Sequence, residues 1–302
     1  MSAAITYARY GGPEVLSLTS AEIPQPGPGQ VRIRVRAVSV NPIDVKIRSG
    51  HLDGVFPVQF PVLPGWDVAG VVDAAGDGAS AAVGDEVFGV ASAGGYSDFA
   101  LLDRPVAKPA GLSFTDAAAM ITVGEAAFRV LKHLGLKDGQ TLLILGAGGS
   151  AGTIAVQLAV SRGVTVIGTA AEGDRERLAG LGAVAVRYGD GWAERVRAAA
   201  PGGVDAVFDT SGAGLLAEAV ALAGDPGRVL TIADEGAAAH GVRFTGQDPA
   251  DRAPKALPEL AALMAEGRLT VPVWRTYPLA QAARAHADLE AGRNHGKIVL
   301  LP

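Results

Sequence analysis

The segment Leu142-Leu-Ile-Leu-Gly-Ala-Gly-Gly-Ser-Ala-Gly152 carries the strongest chemical signal in the chain. An apolar run leads into Gly146, Gly148, Gly149 and Gly152, and a helical pattern follows. A phosphate binds at a helix N-terminus by approaching backbone N–H groups, and a Cβ would block that approach. The strict G-x-G-x-x-G spacing needs Gly at 147, where Ala stands, but Gly146-x-x-Gly149-x-x-Gly152 is a close variant. Between a strand and a helix this pattern points to a dinucleotide site. The bland alternative is a tight turn that uses glycine for packing alone. A rival chemistry lies in the same residues. Gly148-x-Ser150-x-Gly152 matches a nucleophile elbow, with Asp209 or Asp234 and His286 as triad partners. Against it, no HGGG-like oxyanion segment lies upstream, and the turn holds more glycine than an elbow needs.

The second strand of such a unit selects between NAD and NADP(H). An acid at its end binds the ribose hydroxyls and repels a 2′-phosphate. The strand ends Ile167-Gly168-Thr169-Ala170 without an acid, and Glu172 lies beyond it in a loop. Arg175 and Arg177 follow, and either guanidinium could pair with a phosphate in bidentate fashion. This favours NADP(H). On their own, the two arginines with Glu176 also read as a solvated helix face.

Composition removes other chemistries. The chain has 302 residues, 49% hydrophobic and 19% charged, enough to bury a sizeable core. There is no Cys, which excludes disulfides, thiolate nucleophiles and Cys-based metal centres, and the five His show no paired ligand spacing. We therefore expect no metal site. A net charge of −5 without a Lys/Arg block argues against nucleic acid. No apolar run is long enough to span a bilayer and the N-terminus lacks signal-peptide features. The expectation is a soluble cytoplasmic protein acting on a small molecule, with no membrane partner.

Two kinds of patterning position these residues. Over 1–115 short strands prevail. Val31–Val40 alternates Val31, Ile33 and Val35 with Arg32, Arg34 and Arg36, and Val68–Asp73 and Glu86–Val90 follow. From residue 116 the reading is Asp116–Leu134 helix, capped by Ser113 or Thr115. Strand Thr141–Gly146, helix Ser150–Arg162, strand Val164–Thr169 and helix Arg175–Leu181 come next. Val204–Asp209, Leu215–Leu222 and Arg228–Ile232 continue the alternation. Nearly all-apolar strands alternating with helices imply a parallel sheet covered on both faces. Helices around Leu257–Glu266 and Leu279–Glu290 precede a last strand, Lys297–Leu301, which returns to the first domain. The domains expected are 1–115, 116–252 and 253–302.

Several blocks together resemble the medium-chain dehydrogenase/reductase superfamily, in its zinc-free quinone oxidoreductase branch. They are Tyr10-Gly-Gly-Pro-Glu-Val-Leu16, Val40-Asn-Pro-Ile-Asp-Val-Lys-Ile-Arg-Ser-Gly50, Leu63-Pro-Gly-Trp-Asp-Val-Ala-Gly-Val-Val72, Val83-Gly-Asp-Glu-Val-Phe-Gly89, Gly95-Tyr-Ser-Asp-Phe-Ala100, the glycine turn, Val204-Asp-Ala-Val-Phe-Asp209 and Gly296-Lys-Ile-Val-Leu300. The resemblance covers essentially the whole chain. It implies an α/β protein: a doubly wound parallel sheet (Rossmann) domain, plus a β-rich, barrel-like, GroES-like catalytic domain built from both chain ends. Members with catalytic zinc use a Cys in the second of these blocks and Gly-His-Glu in the third. Here those places read Asn41-Pro-Ile-Asp44 and Gly65-Trp66-Asp67, and the Cys-rich structural lobe is absent.

The same resemblance implies an NADPH-dependent reductase of quinones or α,β-unsaturated carbonyls. Without zinc, hydrogen bonds must stabilise the developing anion, and a conjugated acceptor suits that best. It places Asn41 at the reacting end, where its amide could donate to an oxygen, with Asp44 and Arg48 as a supporting ion pair. Trp66 could wall an apolar pocket or be plain core, and Tyr96 is a hydroxyl more in keeping with packing. Gly149, Ser150, Ala151 and Gly152, with Gly146, meet the pyrophosphate. Arg175 and Tyr188 match the 2′-phosphate region, where Ala171 stands in place of a frequent Ser. Thr122 faces the nicotinamide end, although Thr122–Ala127 departs from the usual pattern at Glu125 and Ala126. Ser211, Ala233 and Lys297 are further cofactor contacts. A non-catalytic NADPH-binding protein and a Ser150 hydrolase remain the alternatives. A homodimer is implied, with Val229–Ile232 and Val242–Phe244 as edges able to pair across a two-fold.

Overall fold

The computed structural model describes residues 1–302, the side chain of Pro249 excepted. The chain forms two compact units, Met1–Thr122 with Pro258–Pro302, and Val123–Leu257. Sequence composition places the breaks at 115 and 252 instead. It changes where the helix Phe114–Leu134 begins, whereas packing changes partway along that helix. Ser113 caps it: the Asp116 backbone N–H donates to the Ser113 Oγ at 3.0 Å.

The first unit is built on the strand Val31–Val40. Val31, Ile33 and Val35 are buried and the intervening arginines are not, so alternation fixes which face meets the core. Arg32 closes a two-point pair with Asp73 (2.9 and 3.2 Å), and Arg34 stacks 4.8 Å from the Phe99 ring centroid. One edge of this strand pairs antiparallel with Asp67–Ala75 along most of its length. The other edge is shared: Phe99–Leu102 pairs with Val31–Arg34, and Lys297–Leu301 pairs with Val38–Val40. The chain's last strand thus joins the first unit's sheet. Glu86–Val90 pairs with Asp67–Ala75, and a bridge from Ala91 to Leu102 brings the sheet back on itself. Several elements of this unit escape the sequence reading. The helix Pro42–Arg48 has only seven residues, with Pro at its first position. Val273–Pro278 is a half-exposed strand ending in Pro, parallel to Lys297–Leu301. Ser2–Thr6 and Ser17–Ala21 form a two-stranded ribbon, the second strand largely exposed and so without an apolar signature.

The second unit is a six-stranded parallel sheet. Its spatial order is Val184–Arg187, Thr165–Ala170, Thr141–Leu145, Ala206–Asp209, Val229–Thr231, Arg243–Phe244. Numbered from Thr141–Leu145, that is 3-2-1-4-5-6, the doubly wound order whose ligand site lies beyond the carboxyl ends of strands 1 and 4. Leu143, Leu145, Ile167 and Val207 form the apolar centre, with Val196 and Leu216 from helices Trp192–Ala199 and Leu216–Ala223 packed against it. Val184–Arg187 and Trp192–Ala199 went unread because one is four residues long and the other carries Glu194, Arg195 and Arg197. The dimer-edge expectation needs correction at one strand. Val229–Thr231 has a neighbour on each side, so of the two expected edges only Arg243–Phe244 is one. No helix of the described residues is long and apolar enough to cross a membrane.

Candidate active site

The glycine turn leaves Thr141–Leu145 and enters the helix Ser150–Val160, with Gly149 as its N-cap. Gly146 has φ +82°, a conformation that glycine adopts without strain. A Cβ on Gly152 would lie 2.4 Å from the Gly146 carbonyl oxygen and 2.7 Å from the Ala147 Cα. The spacing of these glycines therefore reflects a helix packed directly on the turn. Side chains hold the turn from both neighbouring strand ends. The Thr169 Oγ1 accepts from the Gly146 N–H at 3.0 Å, and the Thr210 hydroxyl donates to the Leu145 carbonyl at 2.9 Å. The Gly149 N–H donates to the Gly146 carbonyl at 3.0 Å and closes the turn, so the helix N-terminal N–H groups begin at Ser150, Ala151 and Gly152, the kind of group that binds phosphate.

The two arginines part company here. Arg177 is spent on structure: it donates to the Gly148 carbonyl and the Thr153 Oγ1, each at 2.9 Å, and pairs with Asp174 at 2.6 Å. Arg175 is exposed and reaches only the equally exposed Glu172, at 3.6 Å. It lines a cleft of about 410 Å³ with Ala171, Glu172, Arg187 and Arg195. Tyr188, 57% exposed, stands on the adjoining loop. Sequence reading missed Arg195, whose guanidinium holds that loop through the carbonyls of Arg187, Gly189 and Asp190. Ser211 donates to Asp209 at 2.7 Å, and the Ala233 N–H donates to Thr231 at 3.0 Å. Both follow the carboxyl ends of sheet strands. Glu125, unexpected in its helix, is buried: it pairs with Arg129 at 2.9 Å and accepts from the Ala253 N–H at 2.7 Å.

In the first unit the candidate polar residues form one buried network. The Asp67 carboxylate accepts from Asn41 Nδ2 (2.9 Å), from Thr122 Oγ1 (2.8 Å) and from the Thr122 N–H (3.1 Å). Lys297 donates to Asn41 Oδ1 at 2.5 Å and to the Val40 carbonyl at 3.2 Å. This lysine is only 4% exposed, so it is no solvated strand-end charge. Burial lowers its pKa, and Asp67 and Asp44 oppose that shift. Burial raises Asp67, against the pull of Lys297 and its hydrogen-bond donors. Burial also pushes Asp44 up to about 7, with the Asp67 charge adding to the rise.

Asp44 and Arg48 do not pair, contrary to the sequence expectation. Asp44 Oδ2 accepts from the Asn41 backbone N–H at 2.8 Å and from the Tyr96 hydroxyl at 3.2 Å. Arg48 is fully buried and binds Glu290, the Gly11 carbonyl (3.2 Å) and His286 Nδ1 (3.2 Å). His286 Nε2 lies 3.0 Å from the Tyr96 oxygen. Arginine can only donate, so His286 carries its proton on Nε2 and donates to Tyr96. Burial first, and the Arg48 charge second, hold His286 down to about 3 and keep it neutral. Tyr96 thus does more than pack, although packing fixes it: a Cβ on Gly65 would lie 2.0 Å from its ring.

These contacts remove the triad partners of the hydrolase reading. Both ring nitrogens of His286 are committed to Arg48 and Tyr96. Asp209 is taken by Ser211, Gly212 and Thr231, and Asp234 accepts from the Gly236 N–H. Ser150 is left as a helix N-terminal residue. Trp66 is not core but 38% exposed, in the wall of an apolar cavity of about 400 Å³ that Asp44 and Tyr7 also line. Among the described residues, no group of three or more His, Asp or Glu converges to hold a metal ion.

Comparison with known proteins agrees with this geometry. A family model for an alcohol dehydrogenase GroES-like domain matches residues 27–125, and one for a zinc-binding dehydrogenase matches 180–300. Quinone oxidoreductase of Sus scrofa is 32% identical over 324 residues, covering 100% of this chain and 98% of the relative. A 2-methylene-furan-3-one reductase of Solanum lycopersicum is 30% identical, covering 98% and 78% respectively. A solved mycobacterial structure complexed with NADPH matches with a TM-score of 0.87 at 31% identity, covering 100% of each chain. Fold and glycine turn define a two-domain oxidoreductase with a nicotinamide-nucleotide-binding domain. The chain belongs to the medium-chain dehydrogenase/reductase superfamily, in its quinone oxidoreductase-like branch.

Proposed function

We propose that this protein is a zinc-independent, NADPH-dependent reductase of quinones or α,β-unsaturated carbonyls. The observation that carries the cofactor assignment is the exposed Arg175, held only by a long 3.6 Å contact to exposed Glu172, beside a strand that ends without an acid. A 2′-phosphate suits that cleft through the Arg175 guanidinium. Gly146, Gly149, Ser150, Ala151 and Gly152 would hold the pyrophosphate, with Arg175 and Tyr188 at the adenosine end. Thr122, Ser211, Ala233 and Lys297 are proposed as further cofactor contacts. The cofactor supplies hydride; the protein supplies orientation and electrostatics.

A zinc ion does not suit the residues present. Trp66 offers no metal ligand, and the Asn41 oxygen already accepts from Lys297. Without a Lewis acid, an electron-poor conjugated acceptor is the substrate class that an apolar cavity and hydrogen bonds can serve. The names of the porcine and tomato relatives support that class. Asn41 and Asp44 are assigned to the reacting end, Asn41 organising the buried lysine and carboxylates. The protein is proposed to act in the cytoplasm as a homodimer on a small-molecule acceptor, with no nucleic-acid or membrane partner.

Titration with NADPH and NADH, followed by nicotinamide fluorescence, tests the cofactor assignment. NADPH should bind at least tenfold more tightly (about 1.4 kcal/mol). Arg175→Ala should cut that preference about fivefold and leave NADH unchanged. A preference for NADH would move the ribose contact to Glu172 and overturn the NADP assignment.

A further inference from the structure

The cavity in the first unit has a specific polar equipment. Its wall is largely apolar, with Phe56, Val62, Leu63 and Trp66 among its residues. Two buried polar atoms belonging to its lining residues have no protein partner: the Tyr7 hydroxyl and Asp44 Oδ1. Each residue is only 2% exposed. An unpaired buried hydroxyl or carboxyl costs stability, so a protein retains it where a ligand completes it.

The direction of the buried chain fixes where the Asp44 proton resides. Arg48 donates to His286, His286 donates to Tyr96, and Tyr96 donates to Asp44 Oδ2, which also accepts from the Asn41 N–H. Every donor points at Oδ2. A neutral Asp44 therefore carries its proton on Oδ1, the oxygen without a partner. Tyr7 and Asp44 line the same cavity.

We propose that the Tyr7 hydroxyl and the Oδ1 proton of Asp44 form a two-donor cradle for the carbonyl oxygen of a quinone or conjugated ketone in this cavity. A tyrosine and a neutral carboxylic acid in an apolar site are a known way to hold an oxyanion. Such donors bind the anionic state of the oxygen more strongly than the carbonyl, which is what a reductase without a Lewis acid requires. Burial raises Asp44 to about 7, so its donor form prevails below that pH, and burial with neighbouring Tyr10 and Asp44 pushes Tyr7 up to about 12, so the phenol stays a donor throughout. The titratable and charged groups around Asp44 are Asp67, Lys297, Tyr96 and Tyr7, with His286 and Arg48 beyond Tyr96.

The cradle rests on the reductase reading but is tested apart from it. The probe is 1,4-naphthoquinone, carbonyl-labelled and titrated into the full chain without reductant. Affinity is read from quenching of tryptophan emission and hydrogen bonding from the infrared carbonyl stretch. Wild type should bind it with a lowered stretch, and should lose affinity as pH rises through about 7 and Asp44 ionises. Tyr7→Phe should weaken binding about tenfold and return the stretch towards its free position. Its thermal midpoint should stay unchanged or rise, because an unpaired hydroxyl has been removed. Asp44→Asn, with its amide donor in place of Oδ1, should keep binding and lose the pH dependence. Tyr7→Phe matching wild type in affinity and stretch, or wild type binding no quinone, overturns the cradle. If the binding signatures appear but NADPH-linked quinone reduction does not, the reductase reading falls and the cradle stands.

Discussion

Gly152→Ala should lower dinucleotide affinity by about two orders of magnitude, an effect of about 3 kcal/mol. The added methyl would meet backbone, not a side chain that can rotate away: the Gly146 carbonyl oxygen at 2.4 Å and Ala147 Cα and carbonyl carbon at 2.7 and 3.0 Å. Relief requires the helix Ser150–Val160 to slide or the turn to open. Either movement displaces the N–H groups of 150–152 from one another and breaks the Gly149 N–H bond to the Gly146 carbonyl that closes the turn. Phosphate binding depends on their convergence, so the loss should fall on NADPH and NADH alike. Calorimetric titration of the variant with both cofactors is the check. Gly173→Ala serves as a control, because its Cβ would have no atom within 4 Å. A variant at 152 that binds as wild type would mean that the turn is not the phosphate site.

The second large effect is expected at Arg48. Arg48→Met should destabilise the fold by about 3–5 kcal/mol, because removing one member of a buried charged network strands the others. The His286 Nδ1 and Gly11 carbonyl lose their donor, and His286 lies where little water can replace it. Glu290 gives the contrast. Its side chain is 33% exposed, and Glu290→Gln keeps an acceptor for the buried Arg48 guanidinium, so the loss should be smaller than for Arg48→Met. Urea unfolding of the two variants separates the cases. Equal losses would show that the salt bridge itself, and not the buried relay, is the stabilising unit.

Sequence patterning reached the strands with strong alternation or continuous apolar runs. Val31–Val40, Glu86–Val90 and Lys297–Leu301 are observed with the bounds expected. Patterning reached the glycine turn as well, because a close backbone approach leaves glycine as the one admissible residue. It did not reach the partners of the buried charges. Asp44 and Arg48 stand four apart and suggest a helical ion pair, yet Arg48 turns to Glu290 and His286, which enter from a helix some 240 residues later. Lys297 is expected as a cofactor contact on the resemblance alone; its burial comes from Val31–Val40 lying alongside and leaves no local signal. Tyr7 offered no sequence signal at all: a tyrosine after a short strand is ordinary, and only the cavity shows its hydroxyl to be unpaired. Long-range pairing decides such contacts, and local spacing does not encode it.

The central claim is hydride transfer from NADPH to a conjugated acceptor without a metal. Its most direct test is steady-state NADPH oxidation with 1,4-naphthoquinone, using protein stripped by chelator and assayed for residual metal. Turnover that chelation leaves unchanged is the expected result. Activity lost on chelation and restored by zinc would contradict it, as would tight NADPH binding without turnover across quinones and enones.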